Sequence, residues 1–465
     1  MIRINNQKKA AKKNFFYQFL PLFLVFLLFM FFRFNNFGNR IGFGWDQEQY
    51  TTQVRQLIVD HKPVLLGPRT TNDRGFFLAP YFTYLITPFF LLTNLHPYAI
   101  GIFLICFNIL FFIGSYYILS NLFSKKTAIL FLLFWSINPI AARYDSVAWW
   151  PIFIPLGTLM VFFVLKKIFN DNRLTDWLIL GILCGFFINM HVQFAFILFF
   201  VLISIFLHQN VLINLKNKLI FFIAFIIMFT PLIIFDFRHN FLNTKLLLSF
   251  FSKGIADVEP WFFNWTLPFK NVTQPIILTK NVLMIFFFYI AIAFSQFLLY
   301  RKKRGYLKNF YLAAFILWMV FPLIFGIYGQ RPSEYYFMFL YPFIYITLIE
   351  ILLLYKKKLL IFIFIILFII NLRPLFFNLQ DDKYSLKFKD ELIRKLTDRT
   401  KGKKFNISFT TSVGSDAGFR YLIKYYKIHY TGDWKDPLVQ IKIPANNKCR
   451  IKVNEMGVII PKELL

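Results

Sequence analysis

Residues 97–120 read PYAIGIFLICFNILFFIGSYYILS and contain no charged side chain. A helix of about 20 apolar residues is long enough to cross the hydrocarbon layer of a bilayer, which is about 30 Å thick. Similar runs recur along the chain: 58% of its 465 residues are hydrophobic, 67 are Phe and only 16% are charged. This composition is unlike that of a soluble protein, and runs without alternation exclude a transmembrane barrel. The sequence therefore predicts an α-helical polytopic membrane protein.

About eleven apolar runs are predicted to span the membrane. They cover residues 14–34, 97–120, 126–142, 147–165, 174–190, 193–207, 218–236, 281–300, 309–328, 334–354 and 357–373. A further stretch, 76–95, is interrupted by Pro80 and Pro88, and the positive-inside rule decides its status. If the basic N-terminal tail and the Lys- and Arg-rich connections between later runs are cytoplasmic, this stretch does not cross. We therefore expect an interfacial or re-entrant segment there, a cytoplasmic N-terminus and an extracytoplasmic C-terminus.

The formal charge of +30, from 52 Lys and Arg against 22 Asp and Glu, does not indicate a nucleic-acid partner. The basic residues form short clusters between apolar runs, which is how membrane topology is encoded, and no nucleic-acid motif accompanies them. Three scattered cysteines are too few for a disulfide framework or a metal cluster. The first apolar run follows a basic stretch and lacks a small-residue cleavage site. This pattern favours a retained signal anchor in an integral cell-membrane protein.

Most carboxylates before residue 375 fall on the predicted external side, at the outer ends of separate helices. Ionisable groups at the membrane are costly, so such clusters are candidates for function. The candidates are Arg143 with Asp145, His191 with Gln193, Asp236 with Arg238 and His239, and Glu334 with Tyr335. Three of the four clusters also have a structural explanation. The first can be a mutual ion pair, a single His is more often a packing residue, and the Asp–Arg–His group can be a snorkelling interfacial cluster.

The first external loop, residues 35–95, is long compared with most other connections, and long loops are often functional. The sequence WDQEQY at 45–50 begins a segment that can lie as an amphipathic helix, with Asp46 and Tyr50 on one face and Glu48 elsewhere. Two explanations stay open: a solvated helix with ordinary surface acids, or a carboxylate beside a membrane-embedded cavity that acts as a general base. The following GPR at 67–69 and GFFLAPY at 75–81 are typical of turns and an interfacial aromatic belt.

The composition changes beyond residue 374, where no apolar run is long enough to span. We therefore divide the chain into a membrane domain, 1–374, and a small soluble extracytoplasmic appendage, 375–465. Residues 405–409 have the pattern of a short strand and residues 416–426 that of a helix with an acidic start. The pattern favours a compact α/β unit.

Taken together and in this order, these motifs resemble the polytopic glycosyltransferases of the GT-C class, in particular the protein O-mannosyltransferase and aminoarabinose transferase group (glycosyltransferase family 39-like). The resemblance covers roughly residues 14–375. It rests on WDQEQY at 45–50, NP at 138–139 with Arg143, NMH at 189–191, FDFRHNF at 235–241 and EYY at 334–336. It implies a GT-C fold, a polyprenyl-phosphate sugar donor, and a role at the acceptor for the first-loop acid, here Asp46. Many relatives have two adjacent acids, whereas Gln47 separates Asp46 from Glu48.

The chemistry implied by this resemblance needs few residues. Polyprenyl phosphate leaves without protonation, so displacement at the anomeric carbon chiefly requires a base for the acceptor hydroxyl, and a single displacement inverts the anomeric centre. Asp46 is the predicted base, and Glu48 is a helper or, with Asp46, a contact for a possible divalent cation. The residues predicted to bind phosphate or sugar are Arg143, Asp145, His191, Gln193, Asp236, Arg238, His239, Arg331, Glu334 and Tyr335.

The sequence leaves the acceptor open among a glycan, a lipid and a protein. A lipid-linked sugar transporter or flippase without covalent chemistry is the alternative function, and it would spread charged groups through the membrane depth. A third interpretation, a non-catalytic assembly or anchoring protein, explains the C-terminal segment but not the embedded His191 and Asp236.

Overall fold

The computed structural model describes residues 19–70, 75–208, 214–252, 261–273, 276–277, 279–328, 332–355, 357–400, 402–412, 414–428, 430–431 and 435–464. Most of these residues are helical. The α-helices are Phe19–Asn39 with its 3-10 end, Trp45–Ile58, Tyr81–Leu92, Ala99–Leu122, Lys125–Ser136, Pro139–Asp145, Ile154–Asp171, Leu174–Met190, Ala195–Leu207, Leu215–Ile227, Thr230–Arg238, Leu242–Ser252, Trp261–Thr273, Val282–Lys302, Gly305–Tyr328, Tyr341–Tyr355, Lys357–Phe377, Leu386–Arg399 and Phe419–Tyr425.

Among the described residues, five helices are long and apolar enough to cross a membrane, and the number rises to seven if each of two bent helix pairs is one span. The five are Phe19–Asn39, Ala99–Leu122, Trp150–Asp171, Val282–Lys302 and Gly305–Gly326. The other four predicted runs fall mainly on shorter apolar helices, at Leu174–Met190, Val192–Leu207, Tyr341–Tyr355 and Ile361–Phe377. The class of an α-helical polytopic integral membrane protein is therefore confirmed. The count differs from eleven because four predicted runs form shorter helices and two contain a break, and a run of apolar residues reveals neither the helix ends nor a break inside it.

The predicted run 126–142 shows how such a break forms. Its two helices, Lys125–Ser136 and Pro139–Asp145, meet at 80°. The side chain of Asn138 accepts hydrogen bonds from the backbone N–H groups of Ile140 and Ala141, at 2.9 and 3.0 Å, and so caps the second helix. Pro139 occupies the first turn, where its missing N–H costs nothing. The Asn138–Pro139 pair therefore marks the break between the two helices.

The stretch 76–95 contains one helix, Tyr81–Leu92. Its 12 residues span about 18 Å, which is too short to cross the hydrocarbon layer. The aromatic ring of Phe82 lies edge-on to Tyr50, with centroids 4.8 Å apart, so this helix packs against an earlier helix of the same loop. It supports the helix Trp45–Ile58, which we call the loop helix.

The residues after the last bundle helix, 378–464, form what we call the C-terminal unit. Its sheet has the order β1-β2-β4-β3, from Asn406–Thr410 (β1), Leu438–Lys442 (β2), Ile451–Val453 (β3) and Met456–Ile459 (β4). Strands β1 and β2 are parallel, and β4 is antiparallel to both of its neighbours. This confirms the predicted small α/β segment. Its second helix, Phe419–Tyr425, begins later than predicted, after Gly418 at a φ of 90°.

The C-terminal unit is docked on the start of the first loop. The backbone N–H of Leu386 donates to the carbonyl of Ile41 at 2.7 Å, and that of Asp382 donates to Asn39 at 3.1 Å. A side chain on Gly418 would place Cβ 2.3 Å from the carbonyl oxygen of Phe43. Glycine is required there because its left-handed backbone also contacts the chain just before the loop helix.

Candidate functional site

The loop helix carries the predicted catalytic motif and is fixed on the bundle through Gln47 and Tyr50, in its first two turns. The side chain of Gln47 accepts from the backbone N–H of Gly44 at 3.0 Å, which satisfies one free donor at the helix start. The Gln47 amide also donates to the carbonyl of Ala148 at 3.1 Å, and the Tyr50 hydroxyl donates to the same oxygen. The residue that separates the two acids is therefore an anchor, and it orients Asp46.

A cavity of about 920 Å³ opens beside the start of the loop helix. We call it the Asp46 cavity. It is lined by Trp45, Asp46, Gln49, Pro68, Arg69, Thr70, Phe77, Leu78, Trp149, Trp150, His191, Val192, Gln193, Tyr335, Tyr336 and Gly414. Four predicted site residues, Asp46, His191, Gln193 and Tyr335, therefore meet here although they lie far apart in the sequence.

Asp46 is the only carboxylate among the described residues that line this cavity. Its side chain forms no hydrogen bond or ion pair with another described residue, whereas most acids at this end of the bundle are paired. Burial without a compensating partner raises the pKa of Asp46 to about 6. The carboxylate therefore remains largely ionised near neutral pH and is more basic than an ordinary aspartate.

Arg69 supplies a cation to the same cavity, and sequence reasoning missed it by treating its segment only as a turn. It lies on one of two antiparallel segments, 67–70 and 75–78, which we call the hairpin and whose backbones pair Arg69 with Phe77. The Arg69 Nε donates to the carbonyl of Gly75 at 2.8 Å, and the guanidinium lies 5.4 Å from the Phe77 ring centroid. A half-buried guanidinium held in this way can bind a phosphate with little loss of side-chain entropy.

The hairpin is fastened to the bundle by two asparagines. The backbone N–H of Phe77 donates to Asn243 Oδ1 at 2.7 Å, and Asn243 Nδ2 donates back to the Phe77 carbonyl at 3.1 Å. Asn189 Oδ1 accepts from the backbone N–H of Ala79 at 3.0 Å. Gly67 permits the close approach of the strands, because a Cβ there would lie 2.5 Å from the Ala79 oxygen. These contacts set the position of Arg69.

The predicted ligand Asp236 belongs to this support and does not line the cavity. Its buried carboxylate accepts hydrogen bonds from the backbone N–H of Asn243 at 2.7 Å and from the N–H and hydroxyl of Thr244 at 3.1 and 2.7 Å. These bonds cap the helix Leu242–Ser252. Asp236 therefore positions Asn243, and through it the hairpin. It was predicted to bind substrate directly, but it is not among the residues that line the cavity.

The far wall of the cavity is aromatic. The Trp149 and Tyr335 ring centroids are 4.4 Å apart, and His191 packs against Tyr335 and Tyr336 with centroids 5.7 and 5.4 Å away. Within the part of the chain that the structure describes, the buried atoms Trp149 Nε1 and Gln193 Oε1 have no hydrogen-bond partner. An unpaired donor and an unpaired acceptor beside aromatic rings suit a polar ligand with apolar faces, such as a sugar.

Several predicted ligands lie elsewhere. Asp145 pairs with Arg33, so the alternative of a mutual pair with Arg143 does not apply; Arg143 is exposed and lies over the ring of Tyr144. Arg238 and His239 are also exposed and outside the cavity lining. Glu334 accepts from the Tyr144 hydroxyl at 2.8 Å, behind the aromatic wall. The predicted ligand Arg331 lies outside the residues that the structure describes.

Glu48 attaches the loop helix to the C-terminal unit. Its buried carboxylate accepts from the backbone N–H of Tyr421 at 2.7 Å. Beside it, the Lys389 Nζ donates to the carbonyls of Phe43 and Ala417, at 2.8 and 2.6 Å, and burial lowers the pKa of Lys389 to about 8. Asp46 and Glu48 therefore face different surroundings, which argues against their predicted cooperation in binding a cation. Among the described residues, no group of three or more His, Cys, Asp or Glu could hold a metal ion.

The helical bundle, the long first loop with its own helix and the small C-terminal sheet define the class: the chain has the GT-C fold. Structures of ArnT, an aminoarabinose transferase from Cupriavidus metallidurans, are similar over nearly their full length. The form bound to undecaprenyl phosphate has a TM-score of 0.58 and 9% identity, covering 96% of this chain and 98% of ArnT. The apo form of ArnT has a TM-score of 0.59 and 9% identity, and the match covers 98% of this chain and 99% of ArnT.

A second similar structure is the apo form of the Archaeoglobus fulgidus oligosaccharyltransferase. It has a TM-score of 0.51 and 14% identity, and the match covers 90% of this chain and 61% of that one. No family model matches the sequence. No curated protein sequence matches it either. At these identities the likeness concerns the fold.

Proposed function

We propose that this protein is an inverting glycosyltransferase. It moves a sugar from a polyprenyl-phosphate donor to an acceptor at the external membrane face, with Asp46 as the general base. The observation that carries the proposal is the state of Asp46: a desolvated carboxylate without a described partner, in a cavity that also contains Arg69. The ArnT structure with bound undecaprenyl phosphate has the same fold, which supports a lipid-phosphate donor.

In the proposed step, a hydroxyl oxygen of the acceptor attacks the anomeric carbon of the donor sugar. The bond between that carbon and the phosphate oxygen breaks, and its electron pair leaves with the polyprenyl phosphate. The hydroxyl proton passes to a carboxylate oxygen of Asp46. Because attack and departure occur on opposite faces, the configuration at the anomeric carbon inverts.

One carboxylate is sufficient for this reaction. Glycoside hydrolysis ordinarily uses two because its alkoxide leaving group must be protonated, whereas a phosphate ester leaves as an anion. The departing phosphate gains negative charge, and the Arg69 guanidinium lines the same cavity as the base. The aromatic wall with Trp149 and Tyr335 offers stacking surfaces for the sugar ring.

The orientation in the membrane follows from the basic clusters. With the Lys- and Arg-rich connections on the cytoplasmic side, the loop helix and the C-terminal unit lie on the external side. Lipid-linked donors displayed at that face reach the Asp46 cavity from the bilayer. The acceptor, which is a glycan, lipid or protein, enters from the external side.

The test is covalent transfer by the purified protein in detergent. The protein is incubated with a panel of radiolabelled polyprenyl-phosphate sugars and an extract of cell-envelope acceptors, and labelled products are separated from donor. We expect at least one donor to give a covalent product. We also expect the product to form when EDTA is present, because the reaction needs no divalent cation. A transporter or flippase would give no product in detergent but would move labelled donor across proteoliposomes, and that pair of results would reject the proposal.

A further inference from the structure

A second cavity of about 920 Å³ lies between the loop helix and the C-terminal unit. We call it the basic cavity. Its cations, Arg420, Lys424 and Lys427, all come from the C-terminal unit. It shares two lining residues, Trp45 and Gln49, with the Asp46 cavity. The two spaces therefore meet along the first turns of the loop helix.

The loop helix presents one face to the basic cavity. The Gln49 and Gln56 amides on it have no described hydrogen-bond partner, whereas the Gln53 amide donates to the Leu66 carbonyl and accepts from the Thr83 hydroxyl. Trp45, Gln49, Gln53 and Gln56 follow one another at intervals of three or four residues, which places them on the same side of a helix. The eleven steps from Trp45 to Gln56 span about 16 Å. Asp46 follows Trp45 directly, so a molecule lying along this face has one end beside the proposed base.

The opposite wall of the basic cavity carries positive charge that the protein leaves largely uncompensated. Neither Lys424 nor Lys427 forms an ion pair with a carboxylate in the described parts of the chain, and both are exposed. Arg420 pairs with Asp416 at 3.0 Å. Glu48, the one carboxylate among the described lining residues, accepts a hydrogen bond from the Tyr421 N–H.

The aromatic side chains of the basic cavity are open to a ligand. Trp45 is 65% exposed and Tyr430 61%, which are high values for large rings. Exposed rings of this kind provide flat apolar surfaces with a polar edge. Amide side chains of the loop helix, exposed rings and the lysines of the C-terminal unit, all lining one cavity, together match a chain of hydroxyl-bearing rings or polyols that also carries anionic groups.

We propose that the basic cavity is the acceptor subsite and that the acceptor is an anionic glycan, whose sugar or polyol units carry phosphate or carboxylate. This inference rests on the proposed glycosyl transfer and specifies its acceptor. The glycan lies along the Trp45–Gln56 face, its anionic groups contact Lys424 and Lys427, and one terminal hydroxyl reaches Asp46. Electrostatic attraction by the lysines makes binding weaker as salt increases.

Binding of defined probes to the full-length protein in detergent tests the site. The probes are a hexameric poly(glycerol phosphate), a hexagalacturonate, neutral maltohexaose and inorganic tripolyphosphate, and their affinities are measured by isothermal titration calorimetry. The variant Lys424→Gln/Lys427→Gln is compared with Lys403→Gln/Lys404→Gln, a control pair of exposed lysines on the same unit outside the cavity lining. Thermal unfolding verifies that both variants are folded.

We expect at least one anionic glycan to bind, with affinity reduced about tenfold or more by the cavity pair and unchanged by the control pair. Trp45→Ala should weaken the same probe, whereas tripolyphosphate should bind much less well than the glycan. Equal glycan affinity in both double variants would overturn the inference, as would equally tight binding of tripolyphosphate or of maltohexaose. Sugar transfer is assayed in parallel with the wild-type protein. Charge-dependent glycan binding without transfer from any donor would reject the proposed function, whereas transfer without such binding would reject the acceptor subsite.

Discussion

Asp46 and Asp145 are aspartates at the same end of the bundle, yet their surroundings are opposite. Asp145 accepts hydrogen bonds from Arg33 Nε at 2.8 Å and Trp135 Nε1 at 3.1 Å, and the Arg33 and Asp145 side chains are 0% and 4% exposed. Asp46 has no such described partner and lines a large cavity. A carboxylate whose acceptor sites are filled holds elements together, whereas a desolvated and unpartnered one remains available for chemistry.

The largest difference between the two regions should be seen in catalysis. Replacing Asp46 by Asn removes the proton acceptor but keeps the size of the side chain, so we expect transfer to fall about 10²–10⁴-fold. Single-turnover transfer of label from the active donor gives the rate. Asp60→Asn is the matched control, because Asp60 is an exposed acid just beyond the same helix and outside the cavity lining. Substantial turnover by the Asp46 variant would remove its assigned role.

The Asp145 region should respond in stability. Asp145→Ala leaves the fully buried Arg33 without its counter-charge, and we expect a loss of about 3–5 kcal/mol in the free energy of unfolding. Thermal unfolding of the purified protein should show this loss of stability as a lower Tm. The double variant Arg33→Met/Asp145→Leu should recover most of the loss because it buries no charge. A single variant as stable as the wild type would show that the pair does not hold the bundle.

Thermal unfolding should show the opposite effect at Asp46, where removal of the carboxylate should stabilise the protein. Its folded pKa of about 6 lies above the value of 3.8 in the unfolded chain, so the folded state binds the proton more tightly and loses stability as pH rises between those values. Asp46→Asn should therefore raise stability by about 1–3 kcal/mol above pH 7. The gain should fade as pH falls towards 4. A destabilised Asn variant at pH 7.5 would indicate that the carboxylate has a favourable partner.

The contrast also shows what the sequence can and cannot predict. Hydropathy is local, so the helical membrane class and the soluble C-terminal α/β segment were predicted from it. Arg33 is 112 residues from Asp145, and no local pattern indicates that the two meet. The sequence could therefore suggest only the neighbouring Arg143 as a partner for Asp145, and the actual partner is Arg33.

Roles within the site were also only partly predictable. The resemblance indicated Asp46, and spacing placed Glu48 on another face of the helix. Arg69 was missed because its hairpin depends on Asn243, which lies 166 residues away from Phe77 in the chain. A carboxylate that caps a following helix, such as Asp236, has the same sequence appearance as a ligand.

A smaller effect is expected where the hairpin is held. Asn243→Ala removes two hydrogen bonds to the Phe77 backbone, which should loosen the position of Arg69. We expect KM for the donor to rise about fivefold, with a smaller change in kcat, because phosphate binding and not proton removal is affected. Asn121→Ala, at an exposed position near the end of another helix, is the control. An unchanged KM would show that the hairpin keeps its place without this contact.

The central claim is that the desolvated Asp46 carboxylate removes the acceptor proton, and the pH dependence of kcat/KM tests it most directly. Only the ionised form can accept a proton, so the rate should be constant above pH 7 and should fall about tenfold per pH unit below about 6. The residual activity of Asp46→Asn should lack this decrease. A wild-type profile that stays flat down to pH 4, or an identical decrease in the Asn variant, would contradict the account.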